Sequence, residues 1–334
     1  MSEIIKQQAP LILAEIKKAK NILLHCHPKP DPDSVGSALA MKFALEQLNK
    51  KVTLIQGDSE IPKAFVFPGV EAIVKKSYGE IDSTQFDLFI ILDSGSTDMV
   101  SFRANPVFPE NMVTIVIDHH ASNKGYGKIN CIDSNYPATA QLLFDLFKEM
   151  GIKLNHDIAL NLFMGIYTDT GGFKYRSATA DTLEVAAELA RHAPDFTETI
   201  FTMENSNTKE TLLYQGLALS SIQEFCGGRL AISAISYDQL QKNNIKEEDY
   251  SGITISNILK SVVGFDVAVG LVERGPLNVG VGLRTRDSEK YDVSKLAVAL
   301  GGGGHKSAAG AKLKMSLSEA LEKVVKTAEE LYNF

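Results

Sequence analysis

The sequence predicts an α/β protein: a parallel-sheet N-terminal domain followed by a smaller α+β C-terminal domain. Three observations carry this expectation. From Asn21 onward short apolar runs alternate with helical stretches, the pattern of parallel strands joined by right-handed helical crossovers. Two of the runs, Phe86–Leu92 and Val113–Ile117, are nearly continuous and rich in β-branched or aromatic residues, as expected of central strands covered by helices on both faces. Beyond Gly227–Gly228 the rhythm changes to strands, turns and short helices. At 334 residues the chain is long enough for two such domains.

Taken in order, Ile22–His25 reads as the first strand, Gly36–Leu48 as a helix and Val52–Gln56 as the next strand, before the two buried runs. Helical patterns follow at Ala138–Met150, with Gly151 as C-cap, and at His156–Tyr167, with Asn155 as N-cap. Another helix, Asp181–His192, stops before Pro194, which closes a first domain over 1–194. The segment 195–227, rich in Thr, Asn and Glu, reads as a helical linker without strand signals. The second domain, 228–334, opens with a strand at Arg229–Ile235 and a helix at Thr254–Val262. A hairpin of Val267–Glu273 and Leu277–Thr285 turns at Arg274–Gly275–Pro276. Val293–Leu300 (helix), Ala311–Leu313 (strand) and the amphipathic helix Leu317–Tyr332 complete it.

Composition narrows the class. With 44% hydrophobic and 22% charged residues the chain is an ordinary folded protein, which excludes collagen, disordered tails and low-complexity arrays. Its apolar runs fall far short of the roughly 18 residues a membrane span needs, and Met1–Pro10 is too polar for a signal peptide, so a cytoplasmic protein with no membrane partner is expected. Cys26, Cys131 and Cys226 show no CxxC spacing and are expected to be reduced, buried thiols. A net charge of −7 argues against a grip on long duplex nucleic acid, which needs a basic face. An anionic ligand would then be small, or met by bound metal.

Four clusters carry chemistry. The stretch from His25 to Ser37 lies where the first strand gives way to a helix, and three prolines within five residues stiffen it, pre-setting His27, Asp31 and Asp33 at little ordering cost. One imidazole with two carboxylates suits manganese, magnesium, cobalt or iron better than a thiolate-dominated zinc site does. Asp93 directly follows the buried run ending at Leu92, and Asp118-His119-His120 directly follows Ile117. Carboxyl ends of strands are where such sheets hold ligands. Adjacent histidines on an extended segment cannot both point the same way, so one could ligate metal while its neighbour faces substrate, or one could satisfy a buried hydrogen bond. Asp169 ends a helix and enters a glycine-rich loop, where its charge opposes the helix dipole unless a positive group sits beside it. In the second domain, the run Gly301–Gly304 with His305 and Lys306 reads as an anion-binding nest, and Arg284 as a bidentate phosphate grip. His25 is read as a core residue, Arg286 as a solvent-facing neighbour.

These motifs, His-x-x-x-Asp-x-Asp-x-x-Gly-Ser over His27–Ser37, the strand-end Asp93, Asp118-His119-His120 and Thr168-Asp169-Thr170-Gly171, resemble the four motifs of the DHH phosphoesterase superfamily. Gly301–Gly310 is similar to the glycine-rich signature of the DHH-associated domain, so the resemblance spans nearly the whole chain. By length and domain content it resembles the nano-RNase and pAp phosphatase group. The resemblance implies two divalent metal ions, usually Mn2+, with Mg2+ or Co2+ as alternatives. His27 and Asp31 would hold one ion, Asp33, His119 and Asp169 the other, and Asp93 would bridge. Asp118 would orient ligands, and His120 would face the scissile phosphate. Arg284, Gly303, Gly304 and His305 would face the metals across an interdomain cleft and carry the substrate's terminal nucleotide.

The expected activity is hydrolysis of short oligoribonucleotides, pApA or pGpG, or of 3′-phosphoadenosine 5′-phosphate, with water as nucleophile. Alternatives are a cyclic dinucleotide phosphodiesterase, an inorganic pyrophosphatase, which the Gly301–Gly310 segment speaks against, and a non-catalytic nucleotide sensor. The oligomeric state is left open, a homodimer included.

Overall fold

The computed structural model describes residues 2–250 and 255–334, which form two compact units, Met1–Ser206 and Asn207–Phe334. The first unit contains α1 (Glu3–Lys18), β1 (Asn21–His25), α2 (Pro32–Gln47), β2 (Lys51–Ile55), β3 (Leu88–Leu92), β4 (Val113–Asp118), β5 (Ile129–Ile132), α3 (Thr139–Met150), α4 (His156–Asp169), α5 (Ala180–His192) and α6 (Phe196–Glu204). Its five strands run in the order β2-β1-β3-β4-β5, and every pairing is parallel. All five residues of β3 are buried, which is why that run could be read as a central strand.

Two elements here have weak sequence signals. α1 carries Pro10 in its interior, which breaks the usual helix pattern, and β5 is a four-residue edge strand. α2 starts at Pro32, earlier than the expected Gly36, because Asp31 caps it by accepting the Ser34 N–H at 2.9 Å and Pro32 takes the first turn.

The second unit contains α7 (Lys209–Ser220), β6 (Ile222–Phe225), β7 (Leu230–Ile235), α8 (Tyr237–Lys242), α9 (Glu247–Tyr250), α10 (Ile255–Leu259), β8 (Val267–Glu273), β9 (Val279–Thr285), α11 (Val293–Ala299), β10 (Gly303–His305), β11 (Ala308–Leu313) and α12 (Leu317–Tyr332). Thr254, expected to open the helix now seen as α10, lies outside the described residues. The six strands are ordered β10-β11-β9-β8-β7-β6, with only β7 and β8 parallel. β8 and β9 form the expected hairpin, closed by the Arg274 N–H donating to the Asn278 carbonyl at 2.8 Å.

The segment 195–227 is not a free helical linker. α6 belongs to the first unit, where Phe196 packs on Phe163 with ring centroids 4.6 Å apart, while Tyr214 and Ala218 of α7 join a core of the second. Ile222–Phe225 is strand rather than helix, because it pairs antiparallel with β7. No helix among the described residues is long and apolar enough to cross a membrane.

Candidate active site

In the first unit β2 lies on one side of β1 and β3 on the other. Successive crossovers therefore part between β1 and β3, leaving a crevice at the carboxyl ends of the strands. His27 follows β1, Asp93 follows β3, and Asp118 ends β4. The α2 start adds Asp31 and the fully buried Asp33, and the end of α4 adds Asp169. Glycine makes the last approach: a Cβ at Gly36 would stand 2.4 Å from the Asn161 carbonyl oxygen, and one at Gly165 would stand 2.7 Å from Asp33 Oδ1. α4 can lie on α2 only because both positions lack a side chain.

The structure brings together all six expected ligand residues. His27 Nε2 lies 3.4 Å from Asp31 Oδ2 and 3.7 Å from Asp93 Oδ2. His119 Nε2 lies 3.3 Å from Asp169 Oδ2, 3.6 Å from Asp93 Oδ1 and 4.0 Å from Asp33 Oδ2. His27, Asp31 and Asp93 form one group, and Asp33, His119 and Asp169 another, each with ligand atoms within 4.8 Å of one another. Asp93 faces both, one carboxylate oxygen to each. Donors about 2.1 Å from a common ion stand roughly 3.0 Å apart at right angles and about 4.2 Å apart when opposed. The observed separations match a shared cation better than direct hydrogen bonds. Oxygen and imidazole donors without thiolate are also the set a hard divalent ion prefers. These residues therefore fit divalent metal.

The electrostatics say the same. Burial, and then the neighbouring Asp33, Asp31 and Asp169 charges, push the Asp93 carboxyl well above its ordinary range. Burial also raises Asp33, and burial followed by the Asp33 charge raises Asp169 to about 8. Asp31 is lowered: burial opposes its charge, but His27 and backbone N–H groups outweigh that. Asp93 further adopts a left-handed backbone, φ 50°, a conformation uncommon for residues other than glycine and concentrated at functional sites.

A stability prediction follows from these signs. A carboxyl raised to about 8 in the folded state keeps its proton across a range where an unfolded carboxyl, near 3.9, has lost it. Chelated protein should therefore lose stability as pH rises from about 4 to 8. Asp31 and Asp118, both lowered, act in the opposite sense at more acidic pH, and so does His25, whose imidazole burial lowers to about 3, until pH passes its ordinary value near 6.5. Thermal unfolding in chelator should give a higher Tm at pH 6.5, where the His25 contribution is nearly complete, than at pH 8, and added Mn2+ should reverse the order. A Tm rising with pH in chelator would refute the like-charge account.

Asp118 pairs directly with His120, which also forms a third group with Asp93 and His119, their ligand atoms within 4.8 Å of one another. His120 Nδ1 donates to Asp118 Oδ1 at 2.8 Å, which raises the imidazole and leaves Nε2 free of this bond. Both adjacent histidines turn toward Asp93, against the expectation that they diverge: His120 Nδ1 is 3.8 Å from Asp93 Oδ1, and the two rings are 4.5 Å apart. They lie beyond the end of β4, so strand alternation does not apply to them. His119 is held from behind, its Nδ1 donating to the Tyr136 carbonyl at 3.3 Å. His25 is buried, as expected of a core residue.

Two supporting residues escaped sequence reasoning. Thr139 donates from Oγ1 to Asp93 at 3.0 Å and from its backbone N–H to Asp33 at 2.7 Å, and the Ala140 N–H adds a third bond at 2.9 Å. Asn123 donates to Asp118 Oδ2 at 2.7 Å. Asn123 follows the Asp-His-His triplet closely enough to have been a clue; Thr139 lies far along the chain and carried none.

In the second unit Arg284 sits near the end of β9 and donates from Nε to Asn257 Oδ1 at 3.0 Å. Gly303, Gly304 and His305 form the exposed edge strand β10. Two of the N–H groups expected in an anion nest are engaged within the chain. The Gly301 and Gly302 N–H groups close α11, donating to the Val298 and Ala297 carbonyls at 2.9 and 2.7 Å. A Cβ at Gly302 would also stand 2.1 Å from the Gly310 carbonyl oxygen, so the glycines serve a tight β10–β11 hairpin. Arg286 is exposed as expected, whereas Cys226 is only half-buried; all three thiols are free.

A sheet with a carboxylate–imidazole centre at its switch point, followed by a unit of this topology, defines a class. The chain carries a DHH family N-terminal domain over residues 21–166 and a DHHA1 domain over residues 225–333. Among curated proteins it is similar to the bifunctional oligoribonuclease and PAP phosphatase NrnA of Thermus thermophilus, 29% identical over 96% of this chain and 93% of that one. The protein of the same name from Bacillus subtilis is 25% identical over 90% of this chain and 92% of that one. Among solved structures, an exopolyphosphatase-related protein from Bacteroides fragilis shares the fold at a TM-score of 0.88 and 22% identity, covering 98% of this chain and 97% of that one. A Thermus thermophilus RecJ in complex with Mn2+ shares the fold more distantly, at a TM-score of 0.53 and 16% identity, covering 98% of this chain and 55% of that one.

Proposed function

We propose that the protein is a metal-dependent phosphoesterase that hydrolyses short oligoribonucleotides and 3′-phosphoadenosine 5′-phosphate. The observation that carries the reading is the pair of carboxylate–imidazole groups meeting at Asp93. His27 and Asp31 would hold one divalent ion, Asp33, His119 and Asp169 a second, with Asp93 shared and Mn2+ the expected metal. When bound, such ions supply Lewis acidity at phosphorus and acidify water to near-neutral pKa.

The chain's own residues do the rest. Asp118 fixes the tautomer and bearing of His120, whose Nε2 would face the phosphate and deliver a proton to the leaving oxygen. Thr139, Ala140 and Ser37 hold Asp33 and Asp93 in place, so little reorganisation is left for the moment of reaction. Arg284, Gly303, Gly304 and His305 would contact the nucleotide being cleaved. A net charge of −7 favours short substrates over long nucleic acid. Free thiols and a nucleotide substrate suit work in the cytoplasm.

The test is Mn2+-dependent hydrolysis of pApA, a five-residue RNA, 3′-phosphoadenosine 5′-phosphate, cyclic di-AMP and pyrophosphate. The linear nucleotides should turn over and pyrophosphate should not. Cleavage of pyrophosphate alone would overturn the assignment, and stable binding of pApA without turnover would identify a sensor instead.

A further inference from the structure

A left-handed residue other than glycine persists only where its surroundings over-determine it. For Asp93 those surroundings are a set of hydrogen bonds around the next residue. The Asp93 N–H donates to the Ile117 carbonyl at 3.1 Å, and the Ser94 hydroxyl reaches back past Asp93 to the Leu92 carbonyl at 3.0 Å. The Ser94 carbonyl then takes two donors from the loop between β4 and β5, the Tyr126 hydroxyl at 2.8 Å and the Asn123 side-chain amide at 3.3 Å. Ser94 is fully buried, where a carbonyl stripped of its donors is costly.

The Asn123 amide is used on both sides. Its Oδ1 accepts from the Gly125 N–H at 2.9 Å, so Nδ2 is the atom that faces Ser94, and the same Nδ2 donates to Asp118 Oδ2 at 2.7 Å. One nitrogen thus ties the turn that carries Asp93 to the carboxylate that orients His120.

We propose that Asn123 and Tyr126 are positioning residues for the metal centre, acting through the Ser94 carbonyl to keep the Asp93 carboxylate between its ligand groups and in register with His120. The proposal rests on the metal-dependent reading above. Both side chains work through the backbone of Ser94 and not through the Asp93 carboxylate itself.

The test is equilibrium dialysis of Mn2+ against chelated wild type, Asn123→Ala, Tyr126→Phe and Tyr78→Phe. Tyr78 is the comparison, because its hydroxyl also donates to a carbonyl in the same unit, that of Val107 at 3.0 Å. Asn123→Ala should weaken Mn2+ binding about 10- to 100-fold, the scale on which removing a partner behind a metal ligand acts. Tyr126→Phe should weaken it by less, since Asn123 remains, and Tyr78→Phe should bind as wild type does. In an Asp93→Ala background the removal of Asn123 should leave the residual Mn2+ affinity nearly unchanged, because the carboxylate it positions is gone. An unchanged affinity in Asn123→Ala, or equal falls with and without the Asp93 carboxylate, overturns the proposal. Should Asn123→Ala fail to fold, Tyr126→Phe decides, and binding equal to that of Tyr78→Phe overturns it. If wild type hydrolyses no nucleotide but binds Mn2+ more tightly than Asn123→Ala does, the phosphoesterase reading fails and the positioning role stands. Absence of Mn2+ binding by wild type overturns both.

Discussion

Asp93→Asn is expected to lower kcat for pApA by roughly 10^3-fold or more, at least the scale on which losing one preorganised electrostatic contact acts. Asp93 is the one residue that faces both ligand groups, so its loss weakens both at once. The same substitution should stabilise the metal-free protein. Asp93 is buried among Asp33, Asp31, Asp169 and Asp118, and a neutral amide removes the like-charge repulsion. At neutral pH in chelator its Tm should exceed that of wild type by a few degrees, since 1 kcal/mol moves a domain of this size by about 2–4 °C. A variant that loses activity and stability together would indicate a merely structural Asp93.

His120→Ala is expected to lower kcat by about 10^2 to 10^4, the range attributed to a positioned general acid. The loss should shrink for a p-nitrophenyl nucleotide ester, whose leaving group needs no proton. Asp118→Asn should fall in the same direction with a smaller effect, because it removes the bond that orients the ring but keeps the imidazole. Metal content should be unaffected in both variants. Equal losses for good and poor leaving groups would move His120 from proton donor to simple phosphate contact.

Much of this was legible in the sequence because it rests on short-range signals. The buried runs leading to Asp93 and Asp118 announced central strands, and a carboxylate directly after each fixed where it would emerge. The prolines around Asp31 marked a stiff loop after the first strand. What was hidden depends on contacts distant in the chain. Thr139 reaches Asp93 and Asp33 across many intervening residues, and no local pattern marks it. The boundary between units was misplaced for the same reason: Phe196 and Tyr214 look alike as helix residues, and only the cores they join separate them. In the glycine run the property that makes a nest, absence of Cβ, also makes a tight hairpin, and only the partner strand reveals the hairpin.

The proposed phosphoesterase centre holds two ions around a shared Asp93. It is tested most directly by equilibrium dialysis of Mn2+ against the chelated protein, with pApA hydrolysis followed on the same samples. Two ions per chain are expected at full activity, and fewer than two with no turnover in Asp93→Ala. Full activity with one ion per chain, or undiminished hydrolysis in chelator, would contradict it.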